Sequence, residues 1–271
     1  FSMSHDIRTP MNAIMGYTEL MEKNIGNVEK EKDYLSKIHS SSTFLLDLIN
    51  SILEMARIES GKETLNIKVC NIYDIIESLN TVFEKQAEQK GLTYQCTTKI
   101  QHPYIYCDPI KLEEILLNIV GNSVKYTKKG MVLIHAEEGE SGQFQCIIQD
   151  TGIGMSEEYL PHAFEDFSRE KSGAQTKVKG TGLGLAIVKS LVELMNGTIE
   201  ISSQVNQGTT TRIKFQFEIA SENELENNQE TNIIDFKGKH ILLTEDNDLN
   251  AEIAMTLLSD YGFIVDRVND G

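Results

Sequence analysis

The sequence predicts a multidomain protein that is all-α at its start and mixes helices with strands later. Apolar residues recur at heptad spacing in two runs, 7–21 and 35–56, which is typical of paired helices. Between residues 65 and 220, strand-like and helix-like segments follow each other, which favours an α+β two-layer sandwich. Residues 240–267 have the pattern strand, helix, strand of a parallel α/β sheet.

The composition is that of an ordinary globular protein. The 271 residues are 40% hydrophobic and 24% charged, so the chain can bury one to three cores. The formal net charge of −16 disfavours nucleic acid or an anionic membrane surface as a direct partner. No stretch has the length and apolar character of a transmembrane span or a signal peptide.

The four cysteines predict no zinc site. They form no CxxC pair and lie among apolar neighbours, so we expect buried thiols rather than disulfides. The cysteines are Cys70, Cys96, Cys107 and Cys146.

Residues 1–64 predict a helical hairpin. The polar loop 24–27 interrupts the heptads, so the two helices should fold back antiparallel. Further apolar residues, such as Phe44 and Leu46, widen the apolar stripe beyond what one hairpin can cover. This predicts a homodimeric four-helix bundle, with packing on the chain's own next domain as the alternative.

Residues 65–220 predict the second domain. A strand is expected from Leu65 through Val69, and Asn71 should cap a helix that Gly91 ends. Asp108 and Pro109 are a capping residue and a first-turn residue for the next helix, and 185–195 form a third. The other predicted strands are 93–98, 104–107, 131–136, 144–149, 198–202 and 210–217.

The chain after residue 220 divides into a linker and a short α/β segment. Residues 221–237 are polar and acidic with few apolar side chains, which predicts a tether. Within 238–271 we expect strands at 240–244 and 263–267 around a helix at 249–258.

His5 is a candidate nucleophile. An imidazole that is unprotonated near neutral pH can attack a phosphoryl group, and helical spacing places Thr9 beside it. Asp6 is the immediate neighbour and points about a quarter-turn away, so spacing alone does not make it a partner. A single exposed histidine on an amphipathic helix is also ordinary.

A polar row follows the apolar stripe of the helix after Pro109. Glu114, Asn118, Asn122 and Lys125 recur every three or four residues. The amide oxygen of Asn122 suits magnesium, which takes few protein oxygens beside phosphate oxygens and water. The alternative is an ordinary solvated helix face.

Two glycine-rich boxes predict close approach of the backbone to a ligand. Asp150 ends an apolar strand and precedes Gly152 and Gly154, so its carboxylate can accept the exocyclic amine of adenine, although a bare DxGxG is more often a turn. Residues 180–184, GTGLG, open a helix whose free amides suit phosphate oxygens. This run is neither a Walker A loop nor a dinucleotide fingerprint.

The ordered motifs resemble those of one family. SHDIRTPMNAI, LNIVGNSVKYT, DTGIGM, FEDFSR and GTGLGL follow each other as in the sensor histidine kinases of two-component signalling. Residues 240–271 resemble the start of a response-regulator receiver, so the chain looks like a hybrid histidine kinase. The resemblance implies a GHKL-type ATP-binding domain and a partial, flavodoxin-like receiver.

The resemblance also implies roles for single residues. His5 would accept the γ-phosphoryl group of ATP, Asp6 would orient it as a base, and Thr9 would hold the water for dephosphorylation. Mg²⁺ would be bound by Asn122, with Asn118 assisting, and Glu245 and Asp246 would begin an incomplete receiver magnesium site. The implied ATP-binding residues are Asn118, Asn122, Lys125, Tyr126, Asp150, Gly152, Gly154, Gly180, Thr181, Gly182, Leu183, Gly184 and Thr209. Arg169, Lys171, Lys177 and Lys179 would supply cations in a lid that Phe164 and Phe167 pack.

The resemblance further predicts a homodimer that passes the phosphoryl group to a receiver aspartate, in cis or on a separate response regulator. We expect the chain to be a cytoplasmic fragment, attached to a membrane only through a missing N-terminal region if at all, whose receiver phosphoacceptor lies beyond residue 271. Two alternatives stay open, an ATPase clamp of the same nucleotide fold and an inactive signalling scaffold.

Overall fold

The computed structural model describes residues 2–169, 180–224 and 238–268. The chain divides into two compact units, Phe1–Leu225 and Glu226–Gly271. The predicted lid lysines at 171, 177 and 179 and most of the predicted linker lie outside the described residues.

The first unit begins with the predicted helical hairpin. Helix α1 spans Ser2–Glu22 and helix α2 spans Val28–Glu59. Asn27 caps α2, since its side chain accepts a hydrogen bond from the amide of Lys30 at 3.2 Å. Many apolar side chains of the hairpin lie on its surface, among them Met11, Met15, Leu20, Leu35, Leu46, Ile49 and Leu53.

A five-stranded sheet forms one layer of the second domain. Its strands are β2 (Thr93–Lys99), β4 (Met131–Glu138), β5 (Gln143–Asp150), β6 (Thr198–Gln204) and β7 (Gly208–Gln216). Their order across the sheet is β2-β4-β5-β7-β6, and only the β2–β4 pair is parallel. The sheet is therefore mostly antiparallel, as is common in an α+β sandwich.

Three helices form the other layer: α3 (Ile72–Lys90), α4 (Pro109–Tyr126) and α5 (Gly184–Leu194). Asn71 caps α3 and Gly91 ends it in the left-handed conformation, as the sequence predicts. The core lies between helices and sheet, because the apolar stripes of the helices and the inner sheet face are buried. Its fully buried members include Leu79, Leu112, Ile115, Ile119, Ile148, Leu191 and Ile213.

A second, small sheet lies where the chain leaves the hairpin. It has the order β1-β3-β8 and is antiparallel, with β1 at Lys68–Asn71, β3 at Tyr104–Cys107 and β8 at Glu218–Ile219. The predicted start of this strand at Leu65 is wrong. Residue Asn66 gives its amide hydrogen to the carboxylate of Asp108 at 2.8 Å, so the ladder begins only afterwards.

The second unit contains one strand–helix–strand segment. Strand β9 (His240–Thr244) is followed by helix α6 (Asp248–Asp260) and strand β10 (Ile264–Val268). The two strands pair in parallel, with Ile264 opposite His240. This is the predicted parallel pair, within one or two residues of the predicted bounds.

Candidate active site

His5 presents its ring to solvent on the surface of α1. Its side chain is 77% exposed, and Nδ1 lies 3.2 Å from Oδ1 of Asp6. The second ring nitrogen, Nε2, has no hydrogen-bond partner among the described residues. A carboxylate beside Nδ1 favours the tautomer that carries the proton on Nδ1, in which Nε2 keeps a free lone pair. The structure thus brings together a pair that helical spacing alone did not predict.

Asp6 is also held by Arg169, a residue of the second domain. Nη2 of Arg169 lies 3.1 Å from Oδ2 of Asp6. Arg169 was predicted as a lid cation, and it is the last described residue before the gap at 170–179. Its contact with α1 was missed, because no local spacing connects residues 163 positions apart. The contact places Arg169, a residue of the predicted lid, beside the candidate nucleophile.

Thr9 lies one turn after His5, as its spacing predicts. Its hydroxyl donates a hydrogen bond to the backbone oxygen of His5 at 3.0 Å. The hydroxyl oxygen keeps lone pairs that can accept a further hydrogen bond.

Helix α4 presents the predicted polar row opposite its buried stripe. The side-chain amide of Asn118 donates to the backbone oxygen of Glu114 at 3.0 Å, which leaves Oδ1 free to face the start of α5. A Cβ atom added to Gly184 would lie 3.1 Å from that Oδ1. Asn122 is half-buried, and its amide has no hydrogen bond to any described residue. The row therefore offers one amide oxygen, that of Asn118, beside the first turn of α5, and a second, that of Asn122, one turn further along α4.

Lys125 and Tyr126 end the same helix. Nζ of Lys125 lies 5.2 Å from the centre of the Tyr126 ring. A Cβ atom on Gly180 would lie 2.8 Å from that Nζ, so the glycine lets the backbone pass close to the amine. Burial lowers the pKa of Lys125, and the nearby charges of Arg169 and Lys90 lower it further. A bound anion such as a phosphate would stabilise the charged amine and so oppose both effects on its pKa.

Asp150 ends β5 as a buried carboxylate. Its Oδ1 accepts hydrogen bonds from the amides of Gly152 at 2.9 Å and Thr209 at 3.3 Å. Burial raises the pKa of Asp150, while the bonds from Gly152, Ser123 and Thr209 oppose that rise. Gly208 packs against the same strand end, since a Cβ atom there would lie 1.9 Å from the backbone oxygen of Asp150. The glycine box after β5 and the start of β7 thus meet at this carboxylate.

The glycine run 180–184 leads into α5 with a tight turn. Gly182 has φ +75°, and a Cβ atom on it would lie 2.9 Å from the backbone carbon of Phe167. Leu183 precedes the helix and supplies no side-chain cap, so first-turn amides of α5 are available to an anion. The hydroxyl of Thr181 accepts from the amide of Leu183 at 3.3 Å.

Thr127 is a site residue that the sequence did not identify. It is fully buried, and its hydroxyl oxygen has no hydrogen-bond partner among the described residues. A Cβ atom on Gly152 would lie 3.0 Å from that oxygen and 2.8 Å from Oδ1 of Asp150. An unpaired buried hydroxyl beside a buried carboxylate fits a ligand that carries its own donors and acceptors. In the sequence, only the position of Thr127 directly after Lys125 and Tyr126 could have indicated that it belongs to the site.

These residues fit a purine nucleotide with its metal. The buried carboxylate suits an exocyclic amine, and the amine of Lys125 and the start of α5 suit phosphates. The amide oxygen of Asn122 suits Mg²⁺, which needs no dedicated cage of carboxylates when phosphates complete its shell. The described residues contain no group of three His, Cys, Asp or Glu side chains that could hold a metal ion.

The second unit carries the predicted acidic pair after β9. Oε1 of Glu245 accepts from the amide of Asn247 at 3.0 Å, and Asp246 is exposed. The guanidinium of Arg267 donates to the backbone oxygen of Glu245 at 3.2 Å. The pair therefore lies at the carboxyl end of β9, beside the last residues of the parallel partner strand β10.

Two protein families match the first unit. Residues 2–61 match the His Kinase A (phospho-acceptor) domain. Residues 107–219 match the histidine kinase-, DNA gyrase B-, and HSP90-like ATPase. The helical hairpin and most of the α+β domain are thus accounted for.

Curated relatives match between 76% and 99% of the chain. The autoinducer 2 sensor kinase/phosphatase LuxQ of Vibrio parahaemolyticus is 31% identical over 99% of this chain, which spans 32% of that protein. Hybrid signal transduction histidine kinase C of Dictyostelium discoideum is 39% identical over 76% of this chain and 17% of its own length. The chain thus spans a third or less of these relatives.

A solved structure has the same fold. Full-length ShkA in complex with AMPPNP aligns with 99% of this chain and 55% of its own, at a TM-score of 0.62 and 24% identity. Among the described residues, no helix combines the length and apolar character needed to cross a membrane.

Proposed function

Because the chain belongs to the sensor histidine kinases, we propose that it phosphorylates itself on Nε2 of His5 at the expense of ATP. The kinase would be the catalytic part of a longer signalling protein, since the chain spans a third or less of its curated relatives. The single observation that carries this proposal is the arrangement of His5, Asp6 and Arg169 on the outside of α1.

The contact between His5 and Asp6 supports attack by Nε2. The carboxylate accepts the proton on Nδ1, so the ring is held in the tautomer that keeps the Nε2 lone pair free. The ring is also exposed, so a phosphate bound by the ATP domain can reach it.

In the transfer step, the lone pair of Nε2 forms a bond to the γ-phosphorus. The bond from that phosphorus to the bridging oxygen breaks, and ADP leaves with the electron pair. The ring gains positive charge and keeps its Nδ1 proton, which Asp6 stabilises. No proton acceptor beyond Asp6 is needed, because Nε2 carries no proton before attack.

The remaining residues would bind and orient the nucleotide. Asp150 would accept the exocyclic amine of adenine beside the unpaired hydroxyl of Thr127, while Lys125 and the amides that open α5 would bind phosphate oxygens. Asn122, with Asn118 beside it, would hold Mg²⁺, which supplies charge neutralisation on the phosphates when bound. Tyr126, Gly152, Gly154, Gly180, Thr181, Gly182, Leu183, Gly184 and Thr209 would line the same site.

The second unit would be the start of a receiver. Its parallel strands and the pair Glu245 and Asp246 support this, since magnesium ligands gather at the carboxyl ends of parallel strands. The phosphoryl group would pass to an aspartate of a complete receiver, in cis or on a response regulator.

The name of LuxQ, a sensor kinase/phosphatase, also supports dephosphorylation of the phosphorylated receiver. Thr9 would hold the attacking water in that reaction. We propose that these domains lie in the cytoplasm, where ATP is available.

Labelling with γ-³²P-ATP and magnesium tests the proposed function. We expect a label on the protein that alkali preserves and acid removes, the behaviour of a phosphoramidate on histidine. Release of labelled phosphate without a protein-bound label would indicate an ATPase of the same fold and contradict the proposal. Nucleotide binding without either product would indicate an inactive scaffold.

A further inference from the structure

Two buried cysteines face each other in the small sheet, away from the nucleotide site. Sγ of Cys70 on β1 lies 2.9 Å from Sγ of Cys107 on β3. Both are largely shielded, with 8% of Cys70 and 1% of Cys107 exposed. Of the four cysteines in the chain, only these two have their sulfurs within hydrogen-bond distance of each other. The proposed phosphoryl transfer uses neither of them.

We propose that Cys70 and Cys107 form a redox-modification site, which a two-electron oxidant of the peroxide class converts into a reversible intrachain disulfide. The sulfurs need to approach by only about 0.9 Å to reach the length of a disulfide bond, about 2.05 Å. The required movement is therefore a small approach of two paired strands rather than a change of fold.

The register of the strands explains why the bond would be reversible. Cys70 lies opposite Ile105, and Cys107 lies opposite Lys68, so the cysteines are diagonal neighbours on one face of the sheet. Diagonal neighbours are typically about 7–8 Å apart, at or beyond the longest Cα separation that disulfides usually span. A disulfide formed under such strain is more easily reduced, which is typical of regulatory rather than structural disulfides.

The environment of the two thiols favours Cys70 as the first to react. The hydrogen bond from Cys107 lowers the pKa of Cys70, and the same bond together with burial raises the pKa of Cys107. Cys70 is also the more exposed of the two. A thiolate at Cys70 is therefore the favoured nucleophile.

The chemistry balances in two steps. The thiolate of Cys70 attacks one peroxide oxygen, the O–O bond breaks, and a sulfenic acid forms. The hydroxide that leaves takes up the proton released by the Cys70 thiol and becomes one water molecule. The sulfur of Cys107 then attacks that of Cys70, the S–S bond forms, and the S–O bond breaks. The hydroxide leaves as a second water molecule with the proton of Cys107. Two thiols thus lose two electrons and two hydrogens to one peroxide molecule.

The site lies beside the joint between the hairpin and α4. Cys107 directly precedes Asp108, whose Oδ1 accepts from the amides of Ile110 and Lys111 at 3.1 Å. Its Oδ2 holds the amide of Asn66, where the chain enters the domain, at 2.8 Å. Asp108 therefore caps α4 and also holds the chain where it enters the domain. A shift of Cys107 on oxidation would move Asp108 directly.

The full chain tests the proposal after treatment with hydrogen peroxide, removal of the oxidant, and alkylation under denaturing conditions. Proteolysis without reductant, followed by mass spectrometry, should find the Cys70 and Cys107 peptides joined, with two hydrogens lost. Dithiothreitol should restore both thiols, while Cys96 and Cys146 should be alkylated throughout. Cys70→Ser should abolish the joined peptide, and the matched control Cys96→Ser should keep it. Alkylation of all four cysteines after oxidation, oxidation that stops at single sulfurs, or a link to another cysteine would each overturn the proposal.

Discussion

Asp6 is shared between two cationic or proton-bearing groups at the candidate active site. One carboxylate oxygen lies 3.2 Å from the imidazole of His5, and the other lies 3.1 Å from the guanidinium of Arg169. The carboxylate therefore joins the candidate nucleophile to the start of the lid. The position of the Arg169 side chain and the orientation of the His5 ring therefore depend on each other.

Asp6→Asn tests the role of this carboxylate. The amide keeps the shape but loses the charge that stabilises the phosphorylated ring, so we expect the labelling rate to fall by about 100-fold. The affinity for ATP should stay unchanged, because Asp6 lies outside the nucleotide site. Asp33→Asn is the matched control, since Asp33 is an exposed helical aspartate paired with Lys37 at 2.6 Å. Equal labelling by Asp6→Asn and wild type would exclude Asp6 from the chemistry.

Asn122→Ala tests the proposed metal ligand. Loss of the amide oxygen should raise the Kd for ATP about tenfold or more when magnesium is present. When magnesium is removed with a chelator, mutant and wild type should bind ATP alike. Isothermal titration with and without the metal measures both values. A wild-type Kd in the presence of magnesium would remove Asn122 from the metal site.

At the scale of elements, one charged cluster connects α2 with α4. Nζ of Lys111 lies 2.9 Å from Glu54, 3.2 Å from Glu63 and 3.1 Å from Glu114. Three carboxylates thus share one largely buried amine, and Glu63 also contacts Arg57 at 3.3 Å, so one negative charge is left without a cation when all three are ionised. Burial and the contact with Glu54 raise the pKa of Glu114 to about 7, although Lys111 opposes the rise. Ionisation of Glu114 near neutral pH should therefore weaken the contact between hairpin and ATP domain.

Glu114→Gln should remove a pH dependence of stability. The folded protein holds the Glu114 proton up to about pH 7, whereas glutamate ordinarily releases it near 4.5. The stability due to this proton is thus complete below pH 4.5 and is lost as the pH rises to about 7. Over that pH range, we expect the free energy of unfolding of wild type to fall by about 2 kcal/mol relative to that of Glu114→Gln.

Thermal unfolding of both proteins across this pH range measures the difference. Glu59→Gln is the control, because it makes the same change at an exposed position at the end of α2. Parallel curves for wild type and Glu114→Gln would contradict the assigned ionisation.

Local signals explain why most elements could be predicted from the sequence. Asn71 and Asp108 cap helices with their own side chains, and Gly91 ends one in the left-handed conformation. Features that join distant parts of the chain could not be predicted in this way. The pairing of β2 with β4, the contact of Arg169 with Asp6 and the cluster around Lys111 depend on three-dimensional proximity. The unpaired hydroxyl of Thr127 likewise follows from burial, which spacing does not reveal.

At the scale of the whole molecule, the hairpin leaves an apolar surface that a second copy would cover. Leu46 and Leu53 are 58% and 57% exposed and lie two turns apart on α2. Together with Met15 on α1, they lie on the helices that the heptad pattern assigns to a four-helix bundle. We therefore expect the homodimer to form through α1 and α2.

Light scattering of the full chain should give twice the mass of one chain. Leu46→Glu combined with Leu53→Glu should give the monomer mass, because two charges would be buried in the bundle core. Val82→Glu is the control, since Val82 is an exposed apolar residue on α3, outside the hairpin. A double variant that remains dimeric would place the dimer interface elsewhere.

The central claim is that His5 receives the phosphoryl group, and His5→Gln tests it most directly. We would label three purified proteins with γ-³²P-ATP and measure their affinity for ATP: wild type, His5→Gln and His39→Gln. His39→Gln is the control, because His39 is an exposed histidine of α2. We expect the acid-labile label to disappear only from His5→Gln, with the Kd for ATP unchanged in all three proteins. Acid-labile label that persists on His5→Gln at the wild-type level would contradict the account.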